Sequence, residues 1–347
     1  METDELYMRR CLQLAQQAEG QTAPNPMVGA VLVHNGVIIG EGYHHRCGLP
    51  HAEVNAIASV KNPELLPQST LYVSLEPCSH YGKTPPCAKL IIEKRIPRVV
   101  VGMGDPNEKV NGRGIAMLRE VGVEVIEHVL EPECRWLNRR FITFHTKKRP
   151  FILLKWAQTA DGFIDKIRDD ASTPPLRISN EITKTLNHQI RSVESAILIG
   201  TNTALLDNPH LTSRKWGSRN PVRMVVDRSL RIPADYRLLD DSAPTVVFNA
   251  TKDETIGNIS YVRLDFEQNI VPQMVDYLYQ HELQSVIVEG GRQLLQSFID
   301  LDLWDEARIE TSPMTIGDGV KAPNFPMKPT KIEFFGQNEM QYFSRKL

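Results

Sequence analysis

Short apolar runs alternate along the chain with segments whose apolar residues recur every three or four positions. At the N-terminus Leu6, Met8, Cys11, Leu12, Ala15 and Ala18 follow helical spacing and predict an amphipathic helix. Val28–Val33 and Val37–Glu41 read as two strands, and Asn35-Gly36 between them is a hairpin signal. The pattern then predicts helices at Ala52–Val60, Cys87–Lys94 and Gly114–Val121, with strands at Thr70–Ser74, Arg98–Gly102 and Val123–Ile126. Leu137–Thr146 and the basic stretch Lys147–Pro150 interrupt this rhythm. It restarts with strand Phe151–Trp156, helix Thr183–Ser192 and strands Ala196–Ile199, Val222–Val226 and Thr245–Phe248. Helix Ile270–His281, strand Ser285–Val288 and helix Gln293–Leu301 complete the pattern. Strands alternating with helices in both halves predict two α/β units, 1–147 and 148–347. The alternative is one domain in which 147–150 is a charged surface loop.

A chain of 347 residues suits two domains. A net charge of -2 gives no sign of a nucleic-acid partner, though a local basic pocket could still hold one small phosphate. The first twenty residues lack the apolar core of a signal peptide, and no apolar run reaches membrane-spanning length. A soluble, cytoplasmic protein is expected. The cysteines are odd in number (Cys11, Cys47, Cys78, Cys87 and Cys134), which argues against a disulfide framework. In a reducing compartment a cysteine pair beside a histidine points to metal.

The densest chemistry is His51-Ala52-Glu53 followed by Pro77-Cys78 and Cys87. Imidazole and two thiolates suit zinc, and three protein ligands leave a fourth position for water, the mark of a catalytic site. Glu53, two residues beyond His51, is placed to move protons without binding metal, as in zinc nucleobase deaminases. The start of the Cys87–Lys94 helix favours thiolate at Cys78 and Cys87. These two cysteines stand further apart than the usual C-x-x-C, so the polar loop between them is expected to read the substrate. His44, His45, Cys47 and His80 are rival ligands; Cys47 reads as a packing residue, and Cys11 and Cys134 as buried thiols.

With Asn25-Pro26-Met27-Val28-Gly29-Ala30, Asp105-Pro106-Asn107 and Gly112-Arg113-Gly114, these motifs resemble the bifunctional pyrimidine deaminase/reductase of riboflavin biosynthesis. The resemblance implies a cytidine-deaminase-like three-layer α/β/α domain followed by a dihydrofolate-reductase-like α/β domain. It implies zinc and NADPH as cofactors. The substrate would be a small phosphorylated pyrimidine, 2,5-diamino-6-(5-phosphoribosylamino)pyrimidin-4-one, deaminated first and then reduced from ribosyl to ribityl. Asn25, His44, His80 and Lys83 are the implied deaminase substrate contacts. In the second half Lys155, Arg191, Leu211, Arg214 and Glu289 are the implied reductase substrate contacts, with Arg191 and Arg214 clamping the 5′-phosphate. The implied cofactor contacts are Ala157, Thr203, Asp207, Gly291, Arg292, Gln293, Leu294, Leu295, Gln296 and Ser297. Gly290-Gly291 before a helix would let backbone amides approach a phosphate.

The second half also departs from the family pattern. Ile164–Leu176 is longer and more polar than expected, and Arg177 stands where an aromatic residue usually precedes Ile-Ser. Arg177 and Arg228 are alternative contacts to a phosphate of NADPH. Three other readings stay open at this level: a deaminase of another base, a deaminase with a decayed reductase half, and a structural zinc protein. A homodimer is the default assembly.

Overall fold

The Asn35-Gly36 turn closes the first hairpin, both residues lying in the left-handed region (φ 49° and 76°) that a tight hairpin of this hand requires. It joins β1 (Gly29–His34) to β2 (Val37–Tyr43) with His34 opposite Val37. The structure is a computed structural model that describes residues 2–79, 85–106, 111–216 and 219–345. It divides into two compact units, Met1–Lys148 and Arg149–Lys346.

In the first unit α1 (Glu2–Gln16) precedes the hairpin. Next come α2 (Ala52–Ala58), β3 (Thr70–Val73), α3 (Cys87–Glu93), β4 (Arg98–Val101), α4 (Arg113–Glu120) and β5 (Glu124–Ile126). The sheet order is β2-β1-β3-β4-β5, with β1 antiparallel to both neighbours and β3, β4 and β5 parallel. Helices cover the sheet in a three-layer α/β/α arrangement, and the core is built from residues such as Met8, Val31, Leu71, Ile91, Val100 and Leu118. Gly42 lets α2 come close: a Cβ there would stand 2.3 Å from Ala56 N. The stretch that interrupts the sequence rhythm folds as α5 (Glu131–Leu137) and α6 (Arg139–Lys147), with Asn138 between them. Asn138 is buried, and its amide both accepts from Met27 N (2.8 Å) and donates to Met27 O (2.9 Å).

The second unit runs β6 (Phe151–Thr159), β7 (Phe163–Asp165), α7 (Glu181–Val193), β8 (Ala196–Gly200), α8 (Thr201–Asp207), β9 (Val222–Val226) and β10 (Thr245–Asn249). It continues with β11 (Glu254–Ile256), β12 (Ile259–Arg263), α9 (Ile270–Gln280), β13 (Ser285–Glu289), α10 (Arg292–Asp300), β14 (Glu306–Ser312), β15 (Val320–Lys321), β16 (Lys331–Phe335) and β17 (Asn338–Ser344). Its main sheet has the order β11-β12-β10-β9-β8-β13-β6-β14-β17-β16, parallel from β12 to β14 and antiparallel at both edges. The parallel strands are apolar on both faces because both are covered. Ile152, Leu154 and Trp156 of β6 enter one core, and Phe151 and Leu153 the other.

Candidate active sites

His51 is the N-cap of α2, and Glu53 lies in its first turn. Cys87 opens α3, and its backbone N–H donates to Cys78 Sγ (3.3 Å). These local geometries bring His51 Nδ1 to 3.6 Å from Cys78 Sγ and 3.4 Å from Cys87 Sγ. Ligands on one tetrahedral zinc, with Zn–N and Zn–S bonds of ordinary length, stand roughly 3.6 Å apart. The donor set therefore fits zinc in kind and in spacing. Among the described residues this is the group of histidine, cysteine and carboxylate donors close enough to share an ion, its donor atoms lying within 4.8 Å of one another.

Glu53 is only 3% exposed and hydrogen-bonds with the Cys87 thiol. Burial first, and the charge of Cys78 second, push its carboxyl up to about 7. A cation held by the adjacent donors opposes both effects. The hydrogen bond from Cys87 is the largest influence drawing the Cys78 thiol down, and its loss of a proton pushes the Cys87 thiol up. The same hydrogen bonding to Cys78 raises His51.

His44 is buried, with Nδ1 3.1 Å from Pro50 O and Nε2 3.1 Å from Asn25 Nδ2. Burial lowers its pKa, so the ring is neutral: Nδ1–H donates to the carbonyl and Nε2 accepts from Asn25. Both nitrogens are thus engaged in protein contacts. The ring meets His51 edge-on at 5.5 Å, which keeps Asn25 close to the metal donors. His45 packs on Tyr43, and Cys47 lies outside the cluster and is exposed, so it is not the packing residue the sequence suggests. Cys11 and Cys134 are buried, Cys11 donating to Tyr72 O. His80 and Lys83 lie outside the described residues. Cys47→Ser is expected to leave zinc content by metal analysis at the wild-type value; a loss of half the metal would make Cys47 a ligand.

In the second unit the carboxyl ends of β6, β8, β9 and β13 line one cavity of about 1420 Å³, where open parallel sheets commonly bind ligands. Cross-strand register sets Glu289 beside Lys155. Glu289 Oε1 lies 3.6 Å from Lys155 Nζ, and Oε2 accepts from Arg191 Nη2 at 2.7 Å. Burial alone would raise the Glu289 pKa, but Arg191 and Lys155 outweigh it and hold the carboxyl below its usual range. Ala157, Thr203, Asp207, Leu211 and the run Gly291–Ser297 also line the cavity. Leu211 is buried with φ 54°, an uncommon backbone state for a leucine and of the kind that gathers at binding sites.

Arg214 is not among the lining residues, although its pKa is lowered by burial first and then by Arg191. Arg177 lines the cavity, whereas Arg228 does not and instead pairs with Glu267 at the surface. Sequence reasoning missed Arg231, which also lines the cavity, and Arg168. The Arg168 side chain is buried and binds Asp165, Asp207 and the Leu206 carbonyl, tying the long 164–176 segment to the end of α8. No local pattern signals the tie to α8, because Leu206 and Asp207 stand far from Arg168 in sequence.

Residues 1–103 match the family model described as the cytidine and deoxycytidylate deaminase zinc-binding region, and residues 150–336 match the RibD C-terminal domain. The chain is 35% identical to the riboflavin biosynthesis protein RibD of Aquifex aeolicus, covering 99% of each chain. It is 38% identical to the RibD of Bacillus amyloliquefaciens, over 92% of this chain and 87% of that one. A crystal structure of a diaminohydroxyphosphoribosylaminopyrimidine deaminase/5-amino-6-(5-phosphoribosylamino)uracil reductase from Thermotoga maritima is 37% identical. It superposes with a TM-score of 0.89 over 99% of both chains.

Proposed function

This chain belongs to the RibD family of riboflavin biosynthesis, and from that premise we propose which residues carry its two reactions. The family joins a zinc-dependent deaminase in the first half to an NADPH-dependent reductase in the second, and a decayed reductase half has no feature in its favour. Its substrate is the diaminopyrimidine bearing a 5-phosphoribosylamino group; the ring amine is exchanged for oxygen, and the ribosyl chain is then reduced to ribityl.

His51, Cys78 and Cys87 hold the zinc. When bound, the ion supplies the Lewis acidity that makes water ionisable near neutral pH. Glu53 takes one proton from the attacking water and gives it to the ring nitrogen, then passes the proton of the resulting hydroxyl to the amine, which departs as ammonia as the C=O bond forms. Its burial excludes competing solvent from that transfer. Neutral His44 orients Asn25 and leaves the amide oxygen to accept from the pyrimidine. His80 and Lys83 remain substrate contacts by family resemblance alone. The observation that carries this reading is the approach of two sulfurs to one imidazole nitrogen at 3.4 and 3.6 Å.

In the reductase NADPH supplies the hydride, and the protein positions the reactants. Glu289 accepts from the sugar hydroxyls while Lys155 and Arg191 keep it ionised. Arg191 and Arg214, close enough for the one to lower the other's pKa, hold the 5′-phosphate between them with the Leu211 backbone. Ala157, Thr203, Asp207 and the start of α10 from Gly291 to Ser297 cradle the cofactor. Coupled assays with metal analysis test the whole scheme: about one zinc per chain by the ligand count, ammonia release, and NADPH oxidation on the deaminated intermediate. Absence of zinc from active protein would overturn the deaminase assignment.

Among the described residues no helix is long and apolar enough to cross a membrane. None of the five cysteines forms a disulfide, which supports a cytoplasmic setting. The assembly we favour is a homodimer. Phe334 (69% exposed) and Ile332 (46%) stand on β16, one of the two edge strands of the large sheet, where a second copy would cover them. Phe334→Glu should halve the mass seen by light scattering; a wild-type chain that is already monomeric rules the dimer out.

A further inference from the structure

Glu76 stands two residues before Cys78, where the chain leaves β3. It is 3% exposed, and among the described residues no cation pairs with it. Four backbone N–H groups donate to it instead. Oε2 accepts from Asp105 (3.3 Å) and Gly112 (2.9 Å), and Oε1 accepts from Gly114 (3.0 Å) and Ile115 (3.4 Å). Gly114 and Ile115 lie in the first turn of α4, whose N-cap is Gly112 and whose first turn has no acidic residue. The helix start therefore lacks a cap of its own, and its free N–H groups and dipole are satisfied by a carboxylate from far back in the sequence.

The same segment is tightly enclosed. A Cβ on Gly114 would stand 1.9 Å from Pro77 O, so α4 begins directly against the peptide joining Glu76 to Cys78. Glu76 N donates to Met103 O (2.9 Å). Cys78 is held on its other side by α3, its carbonyl accepting from Ala88 N (3.2 Å) and its sulfur from Cys87 N.

We infer that Glu76 is the positioning residue of the metal-ligand segment. Its carboxylate fastens the start of α4 and the Asp105 backbone onto the Glu76–Cys78 peptide, which sets Cys78 Sγ opposite His51 before metal arrives. The inference rests on reading His51, Cys78 and Cys87 as the ligands. It also gives a physical role to Asp105-Pro106 and Gly112-Arg113-Gly114, motifs with no part in the reaction above. They present the N–H groups that Glu76 gathers. Partners outside the ligand shell that fix ligand orientation are commonly worth 10–100-fold in metal affinity.

The test compares full-length wild type with Glu76→Gln, which keeps the size but turns an amide –NH2 toward donors that need an acceptor. Zinc transfer to a chelating dye should be at least about tenfold faster in the variant. Excess zinc should restore its deaminase turnover, and reduction of supplied deaminated intermediate should stay at the wild-type rate. A variant that melts lower yet exchanges zinc at the wild-type rate overturns the inference, because Glu76 then serves stability alone. If the first unit of Glu76→Gln does not fold, Glu76→Asp decides: intermediate zinc exchange supports the role, and wild-type exchange ends it. His51→Ala is the separate control on the ligands. Wild-type zinc content in that variant would fail the ligand reading itself, whatever Glu76 does.

Discussion

Glu53→Gln is expected to lower ammonia release at least about 10³-fold while zinc content stays at the wild-type level. A positioned proton-transfer group contributes about 10²–10⁴ in rate, and Glu53 has two protons to move, both from the water: one to the ring nitrogen and one to the departing amine. Glutamine fills the same buried space beside Cys87, so the packing around the metal donors survives. The variant should still oxidise NADPH when given the deaminated intermediate, because the reductase residues lie in the other unit. Ammonia release and metal content measured on one preparation decide the matter. Loss of zinc together with activity would recast Glu53 as a metal ligand or a structural residue.

The second large effect concerns Glu289. Glu289→Gln should reduce reductase kcat/KM by more than about 10² and leave the deaminase untouched. The carboxylate lies between Lys155 and Arg191, all three side chains being only 11–16% exposed. Removing one member of a buried charge group strands the others, at a cost of about 3–5 kcal/mol. For a unit of this size that is roughly 6–20 °C in melting temperature. The pH dependence comes from the sign of the shift. Because the folded pKa is held below the ordinary carboxylate value, the stabilisation is present above that value and fades as pH falls through the folded one. The wild-type second unit should therefore lose stability on acidification more steeply than Glu289→Gln. Parallel melting profiles from pH 7 to pH 3 would remove Glu289 from this role.

The metal donors were legible because each sits in a short motif whose residue types have few other uses: His-x-Glu at one helix start, and a Pro-Cys ahead of the cysteine that opens another. The alternation of strands and helices was legible for the same local reason. The features that escaped have no local signature. β16 and β17 are antiparallel strands of mixed pattern, and β14 (Glu306–Ser312) is buried along most of its length although apolar and polar residues are mixed in it, the polar ones finding distant partners. Glu310, fully buried, is satisfied by Ser179, Thr183 and Asn338, all far off in sequence. Arg223 interrupts an apolar strand and is wholly buried, its guanidinium reaching Asp240, Thr245 and three backbone carbonyls. Residues 137–147 read as a break because α5 and α6 are short and meet at Asn138 with no strand between them, which the strand–helix alternation does not anticipate.

Asn138 has a practical bearing on how the first half could be isolated. Its amide grips both polar groups of Met27, next to the Asn25-Pro26 pair beside the metal donors, from a junction 35 positions beyond the last residue of the zinc-binding-region match. A fragment cut at residue 103 would leave that strand lead-in with two buried, unanswered hydrogen-bonding groups. A fragment ending at Lys148 carries its own anchor, which makes the last two helices part of the smallest transplantable deaminase rather than a mere tether between the two halves.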